Sequence, residues 1–150
     1  MSATGRLTDE RIDASALAAE ASDPSFGAIL VFLGVVRDVN AGRAVTGIEY
    51  SAYEGMAASE LGDIARTGAE RYGPANVVIV HRLGELGLEE ASVGIAVAHA
   101  HRDAAYQLSR WCIDELKRRV PIWKREHYVD GRADWVANNS AAVEAEARSR

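Results

Sequence analysis

The chain of 150 residues predicts an α/β (α+β) fold: a sandwich of helices on one face of a sheet, with a smaller β-rich subdomain. Three features carry that expectation. Apolar, β-branched runs alternate twice with helical patterns, as strand–helix–strand. The longest helical pattern closes on a proline. A hairpin signal follows it.

Taken in order, Arg6 to Ile12 reads as a short edge strand, and Asp13 as the cap of a small helix through Ala21 that Ser22-Asp23-Pro24 ends. Gly27 to Arg37 is apolar and β-branched and reads as a buried strand, and Asp38 to Gly42 as a turn or mobile loop. Ala44 to Tyr53 alternates as a second strand. Gly55 to Tyr72 reads as a helix with Met56, Leu61, Ile64, Ala65 and Ala69 near one face, stopped by Gly73-Pro74. Asn76 to Arg82 is a strand of Val and Ile, Gly84 to Glu90 a turn-rich link, and Ser92 to Ala100 a strand whose small residues suit close packing on helices. His101 to Arg119 is the longest helix, with Ala105, Leu108, Cys112 and Leu116 on its core side, and Pro121 ends it. Ile122 to Tyr128 and Arg132 to Val136 flank Asp130-Gly131 as a hairpin. Ala141 to Arg150 reads as a frayed helix or a disordered tail. No repeat or low-complexity linker divides the chain, so residues 1–150 read as one domain.

Composition narrows the function. Hydrophobic residues at 48% and charged residues at 26% describe a globular protein rather than a disordered one. The longest apolar run, Gly27 to Val36, is too short to cross a bilayer, and the first residues lack the apolar core of a secretion signal, so the cytoplasm is the expected location. A net charge of -5 argues against a general nucleic-acid binder. The single cysteine, Cys112, excludes an internal disulfide and a cysteine-only metal site; on the core side of its helix it reads as a packed thiol. Of 17 Lys plus Arg, only Lys117 and Lys124 are lysines. A lysine amine can lose its proton when buried and act as base or nucleophile, which Arg cannot. An Arg-rich codon bias explains the same count equally well.

Several residues are mounted for chemistry, each with a plainer reading beside it. Arg37 ends a strand, a rigid mount for a reaching side chain, or is simply a surface Arg beside Asp38. His101-Arg102 stands where a strand turns into a helix, whose first turn suits a phosphate or carboxylate; His101 could equally cap that helix. His99 lies two residues earlier, but no Cys or acid cluster in the sequence completes a metal site. Lys117 falls on a stripe with Ile113, Arg110 and Tyr106 that borders the core, so it could lie half buried in a cleft, or merely favour a helix C-terminus. Strand alternation puts Ile122, Lys124 and Glu126 on one face, toward a cleft, and Trp123 and Arg125 on the other, with Trp123 in the core; a surface Lys–Glu pair is the plainer alternative.

Together these pieces form an order: Phe32-Leu-Gly34-Val-Val-Arg37, then Glu49-Tyr50 and Tyr53-Glu-Gly-Met56, then His81-Arg82-Leu-Gly-Glu85, Ala100-His101-Arg102, Lys117 through Glu126, and Trp135. Over about residues 26–136 the chain resembles the large, catalytic subunit of molybdopterin synthase. The two lysines seven apart around Pro-x-Trp are the most specific part.

The resemblance implies an α/β hammerhead-like fold and a homodimer. It also implies a small ubiquitin-like sulfur-carrier subunit at each outer end, giving a heterotetramer. That partner's C-terminal Gly-Gly thiocarboxylate would enter the pocket and give two sulfurs to cyclic pyranopterin monophosphate, making molybdopterin, with no cofactor. Lys117 and Lys124 would be catalytic. Val35, Val36, Arg37, His101, Arg102, Arg125 and Glu126 would contact substrate, and Phe32 and Ile113 would line the pocket. One departure stands out: some family members carry a further basic residue shortly after the Trp, whereas Trp135 is followed by Val-Ala-Asn138-Asn139.

The chemistry fits these residue types. Arg37, His101 and Arg102 suit a phosphate, and the lysines suit charge stabilisation and proton transfer, each lowering the other's pKa if adjacent. His101 and Lys117 lie at opposite ends of one helix, about 24 Å apart along its axis. This predicts that His101 and Arg102 reach the site from the other subunit. Two rivals remain: a different enzyme or binder of a small anion, and a non-catalytic module holding a C-terminal carboxylate.

Overall fold

The computed structural model describes residues 1–137, so the tail from Ala141, and Asn138 and Asn139, lie outside the described residues. Two sheets organise the chain. The first contains β1 (Ala3–Thr8), β2 (Ala28–Val35), β5 (Ala75–Arg82) and β7 (Ala91–His99) in the order β1-β5-β7-β2. Only β1 and β5 run parallel; β7 is antiparallel to both β5 and β2. The second is built on β4 (Arg43–Ala52), β8 (Ile122–Tyr128) and β9 (Ala133–Ala137), with β3 (Val39–Asn40) and β6 (Gly84–Gly87) each pairing with β4. The helices are α1 (Ala14–Ala21), α2 (Glu54–Tyr72) and α3 (Arg102–Arg119).

The central strands explain why the helices cover both faces of the first sheet, not one as expected. Nearly every residue of β5 and β7 is buried, the pattern of strands enclosed on both sides. Val77, Ile79, Ile95 and Val97 pack with Leu61, Ile64, Leu108 and Leu116 of α2 and α3, whereas Val78, Val80, Ala96 and Ala98 pack with Leu17 and Ala21 of α1. Asp13 caps α1 as its sequence suggests, accepting from the backbone N–H groups of Ser15 and Ala16.

Several expectations are corrected. The strand read as buried, β2, is an edge strand with Ile29, Phe32 and Val35 exposed; apolar content alone could not tell an edge from a centre. Met56 is exposed rather than on the core face of α2. Trp123 is not in the core: it stands edge-on to Tyr53 with ring centroids 4.7 Å apart, while the core takes Ile122 from the other face of β8. The turn at 38–42 and the link at 84–90 each contain a short strand that only its pairing with β4 defines. As expected, Ala105, Leu108, Cys112 and Leu116 are the buried face of α3. The passage from α3 to β8 runs through Val120, Pro121 and Ile122, all buried.

Close approach of β1 to α2 depends on Gly5, where a Cβ would fall 2.2 Å from the backbone carbon of Leu61. Backbone cannot retreat as a side chain can. Gly5→Ala is therefore expected to cost about 1–3 kcal/mol of stability. Denaturant titration checks this, and an unchanged midpoint would contradict the packing.

Candidate active site

One cleft gathers residues from both sheets and the long helix. Its walls include Phe32, Val35, Val36 and Arg37 from the end of β2, Asn40 of β3, Tyr50 of β4, Ile113 and Lys117 of α3, and Lys124 and Glu126 of β8. Local geometry puts them there. Ile113 and Lys117 are one helical turn apart and share a face. Lys124 and Glu126 are two apart on a strand and share a side. Val36 is fixed by backbone bonds with Glu90 and Glu89, at 3.0 and 2.7 Å, so Arg37 leaves from an anchored residue.

Electrostatics distinguish the two lysines. Lys117 is exposed over its surface as a whole, more open than the half-buried placement expected. Its pKa is nevertheless lowered, first by burial around the ammonium and then by the charge of Lys124. Lys124 has a carboxylate partner: its Nζ is 3.1 Å from Glu126 Oε1. Glu126 is only 4% exposed. Burial alone would raise its pKa, but hydrogen bonds from Asn40, Tyr128 and Lys124 outweigh that and hold it low.

Not every residue named by sequence joins the cleft. His101 and Arg102 line a separate depression with Gly27, Ala28, Asp103 and Tyr106. His101 occupies the N-cap position of α3 but makes no side-chain cap bond; its backbone N–H donates to His99 Nδ1 at 3.0 Å. Arg125 points to the opposite face of β8, its Nη1 4.0 Å from Glu49. Alternation decides this, since Lys124 and Glu126 take the cleft side. Cys112 is buried, and burial pushes its thiol up to about 12, too high to serve as a nucleophile.

Sequence reasoning missed Asn40 and Tyr128, and it named Tyr50 and His81 only as motif residues, without a place at the site. Asn40 gave no signal beyond a polar residue in a turn. His81 is 1% exposed and stands edge-on to Tyr50 at 5.3 Å, with its Nδ1 2.9 Å from the Arg82 carbonyl oxygen. Burial lowers its pKa to about 4, keeping it neutral behind the cleft wall. The His-Arg-Leu-Gly-Glu run was visible in the sequence, but its place was not. An acid cluster does join a histidine, contrary to expectation: ligand atoms of Glu49, Glu85 and His127 lie within 4.8 Å of one another. These groups already have partners, His127 Nε2 meeting Glu85 at 3.0 Å and Arg125 facing Glu49. No described helix is long and apolar enough to cross a membrane.

The family model for "MoaE protein" matches residues 7–119. The molybdopterin synthase catalytic subunit of Synechococcus elongatus is 40% identical, covering 93% of this chain and 85% of its own length. That of Halalkalibacterium halodurans is 41% identical over 77% of this chain and 73% of its own. The crystal structure of molybdopterin synthase from Staphylococcus aureus superposes with a TM-score of 0.82 at 34% identity, covering 87% of this chain and 95% of that one. A complex of subunits 1 and 2 of molybdopterin-converting factor from Helicobacter pylori shares the fold, with a TM-score of 0.72 at 20% identity over 88% of this chain and 89% of that one.

Proposed function

Because the chain belongs to the MoaE family of molybdopterin synthase catalytic subunits, we propose that its cleft is where sulfur passes from a small carrier protein to a phosphorylated pterin. The observation that carries this reading is the convergence of Arg37, Lys117, Lys124 and Glu126, from one strand end, one helix and one further strand, on one cavity. The enzyme is a sulfur transferase of molybdenum cofactor biosynthesis, acting in the cytoplasm as a homodimer with a carrier subunit at each outer end.

In this reading the carrier's C-terminal Gly-Gly thiocarboxylate lies beside Lys117, and two sulfurs go in turn to cyclic pyranopterin monophosphate. The sulfur arrives on the partner, so no cysteine of this chain need act, consistent with an inert Cys112. Arg37 offers a charge-assisted contact to the phosphate. The Lys124 ammonium, fixed by Glu126, stabilises negative charge that develops on transfer. Lys117, with its lowered pKa, is the better placed to exchange a proton. His101 and Arg102 face a different depression on their own chain, and they complete the site from the other subunit.

Incubation with a thiocarboxylated carrier and the pterin precursor, with dithiolene product measured, tests the reading. A carrier ending in a bulky residue instead of Gly-Gly is expected to bind but give no product, and undiminished transfer from it would exclude the tail-insertion model. Precursor binding without any turnover would instead favour a small-anion binder, and carrier binding alone a carboxylate-holding module.

A further inference from the structure

Glu126 is held by more than its lysine. Asn40 Nδ2 donates to both carboxylate oxygens, at 2.8 and 2.9 Å, and Tyr128 Oη donates to Oε2 at 2.7 Å. Asn40 comes from β3, 86 residues earlier in the chain. It is carried by a reversal through Ala41 and Gly42, both left-handed with φ of 50° and 79°. Tyr128 lies beneath the Arg43 guanidinium, which stands 3.5 Å from its ring centroid. A surface Lys–Glu pair would carry no such set of donors.

We propose that Asn40 and Tyr128 are positioning residues for sulfur transfer: by fixing Glu126 they hold the Lys124 ammonium in the cleft and pin the turn that carries Arg37. The proposal rests on the functional reading above, and two arguments support it. The donors come from different elements, so the carboxylate ties the 36–43 segment to β8 across the cleft. They also occupy both oxygens, so Glu126 cannot swing away from Lys124 without losing bonds to a nearly buried charge.

The pH dependence follows in sign. Of the charged groups around it, Lys124 favours the ionised carboxylate; Lys117 lines the same cleft, Arg43 stands over the Tyr128 ring, and Asp134 lies opposite Glu126 on β9. Donors hold the pKa of Glu126 down, so losing one moves its protonation to higher pH. A variant therefore loses the clamp on the acid side first and regains it as pH rises.

Only two lysines exist in the chain, so lysine labelled with carbon-13 at Cε gives two resonances, assigned with Lys117→Arg. The Lys124 resonance reports protonation of its partner Glu126 as pH falls. Tyr128→Phe, which keeps the ring under Arg43, and Asn40→Leu, which keeps the volume, are each expected to shift that step to higher pH. In both, kcat/KM for sulfur transfer should fall severalfold on the acid side of that step but less than about twofold near pH 8. If either variant fails to fold, the other decides. An unmoved step, or a loss of activity that is the same at both pH values or absent, overturns the proposal. A wild-type protein without sulfur transfer would remove the functional reading instead, while the resonance titration still decides whether the clamp exists.

Discussion

Lys117→Ala and Lys124→Ala are each expected to lower turnover by about a hundredfold or more while the folded protein and its carrier complex persist. Both amines face the cleft, and neither belongs to the buried core, so the loss should appear in kcat rather than in stability. The sharper comparison is with arginine. At position 124 an Arg keeps the charge but replaces a compact ammonium with a planar fork, which Glu126 and its two other donors are not arranged to receive. At position 117 it removes a titratable amine altogether. Burial and then the neighbouring cation lower the Lys117 pKa, so its free amine accumulates at lower pH than that of an ordinary lysine. A rate limb that needs the free amine should rise with pH in the wild type and vanish in Lys117→Arg. Product formation across pH measures this. Near-full turnover in both Lys→Arg proteins would exclude an amine role.

The second large effect is complementation between inactive proteins. His101 stands at the start of α3 and Lys117 near its end, about 24 Å apart along the helix axis, and they open onto different depressions. A double alanine variant of His101 and Arg102, and Lys117→Ala, are each expected to be inactive alone. Mixed after dissociation and allowed to pair at random, they should regain roughly a quarter of wild-type activity, because half of the dimers are mixed and each has one intact site of two. No recovery in a sample with proven mixed dimers would place the site in one chain, or remove His101 and Arg102 from it.

Much of this was legible in the sequence because local rules decided it. The Asp13 cap, the buried stripe of α3 and the Asp130-Gly131 hairpin follow from spacing and residue type, and the structure contains all three. Alternation along β8 correctly separated Lys124 and Glu126 from Arg125. The same alternation put Trp123 opposite Ile122, yet the core lies on the Ile122 side; size suggested burial for the Trp, and nothing local says which face of a strand meets the core. Asn40 was invisible for a related reason. Its importance lies in meeting Glu126, and a contact spanning 86 residues leaves no mark on its near neighbours. Tyr128, two residues from Glu126 on β8, shares its side by alternation, but the hydrogen bond between them is a matter of rotamers that residue type does not fix. Short strands such as β3 and β6 likewise exist only through a partner.

The buried passage through Val120, Pro121 and Ile122 makes the interval between the two lysines a phase relation. A helix repeats every 3.6 residues and a strand every two, and the passage is where one clock hands over to the other. One residue inserted after Ile122 would turn Lys124 to the Trp123 face and bring a different side chain to the cleft. Two would restore the face but displace the amine by about 6.6 Å along the strand. The interval of seven is therefore a geometric constant of the two cleft lysines, and chain length at this point is as much a part of the cleft as the lysines themselves.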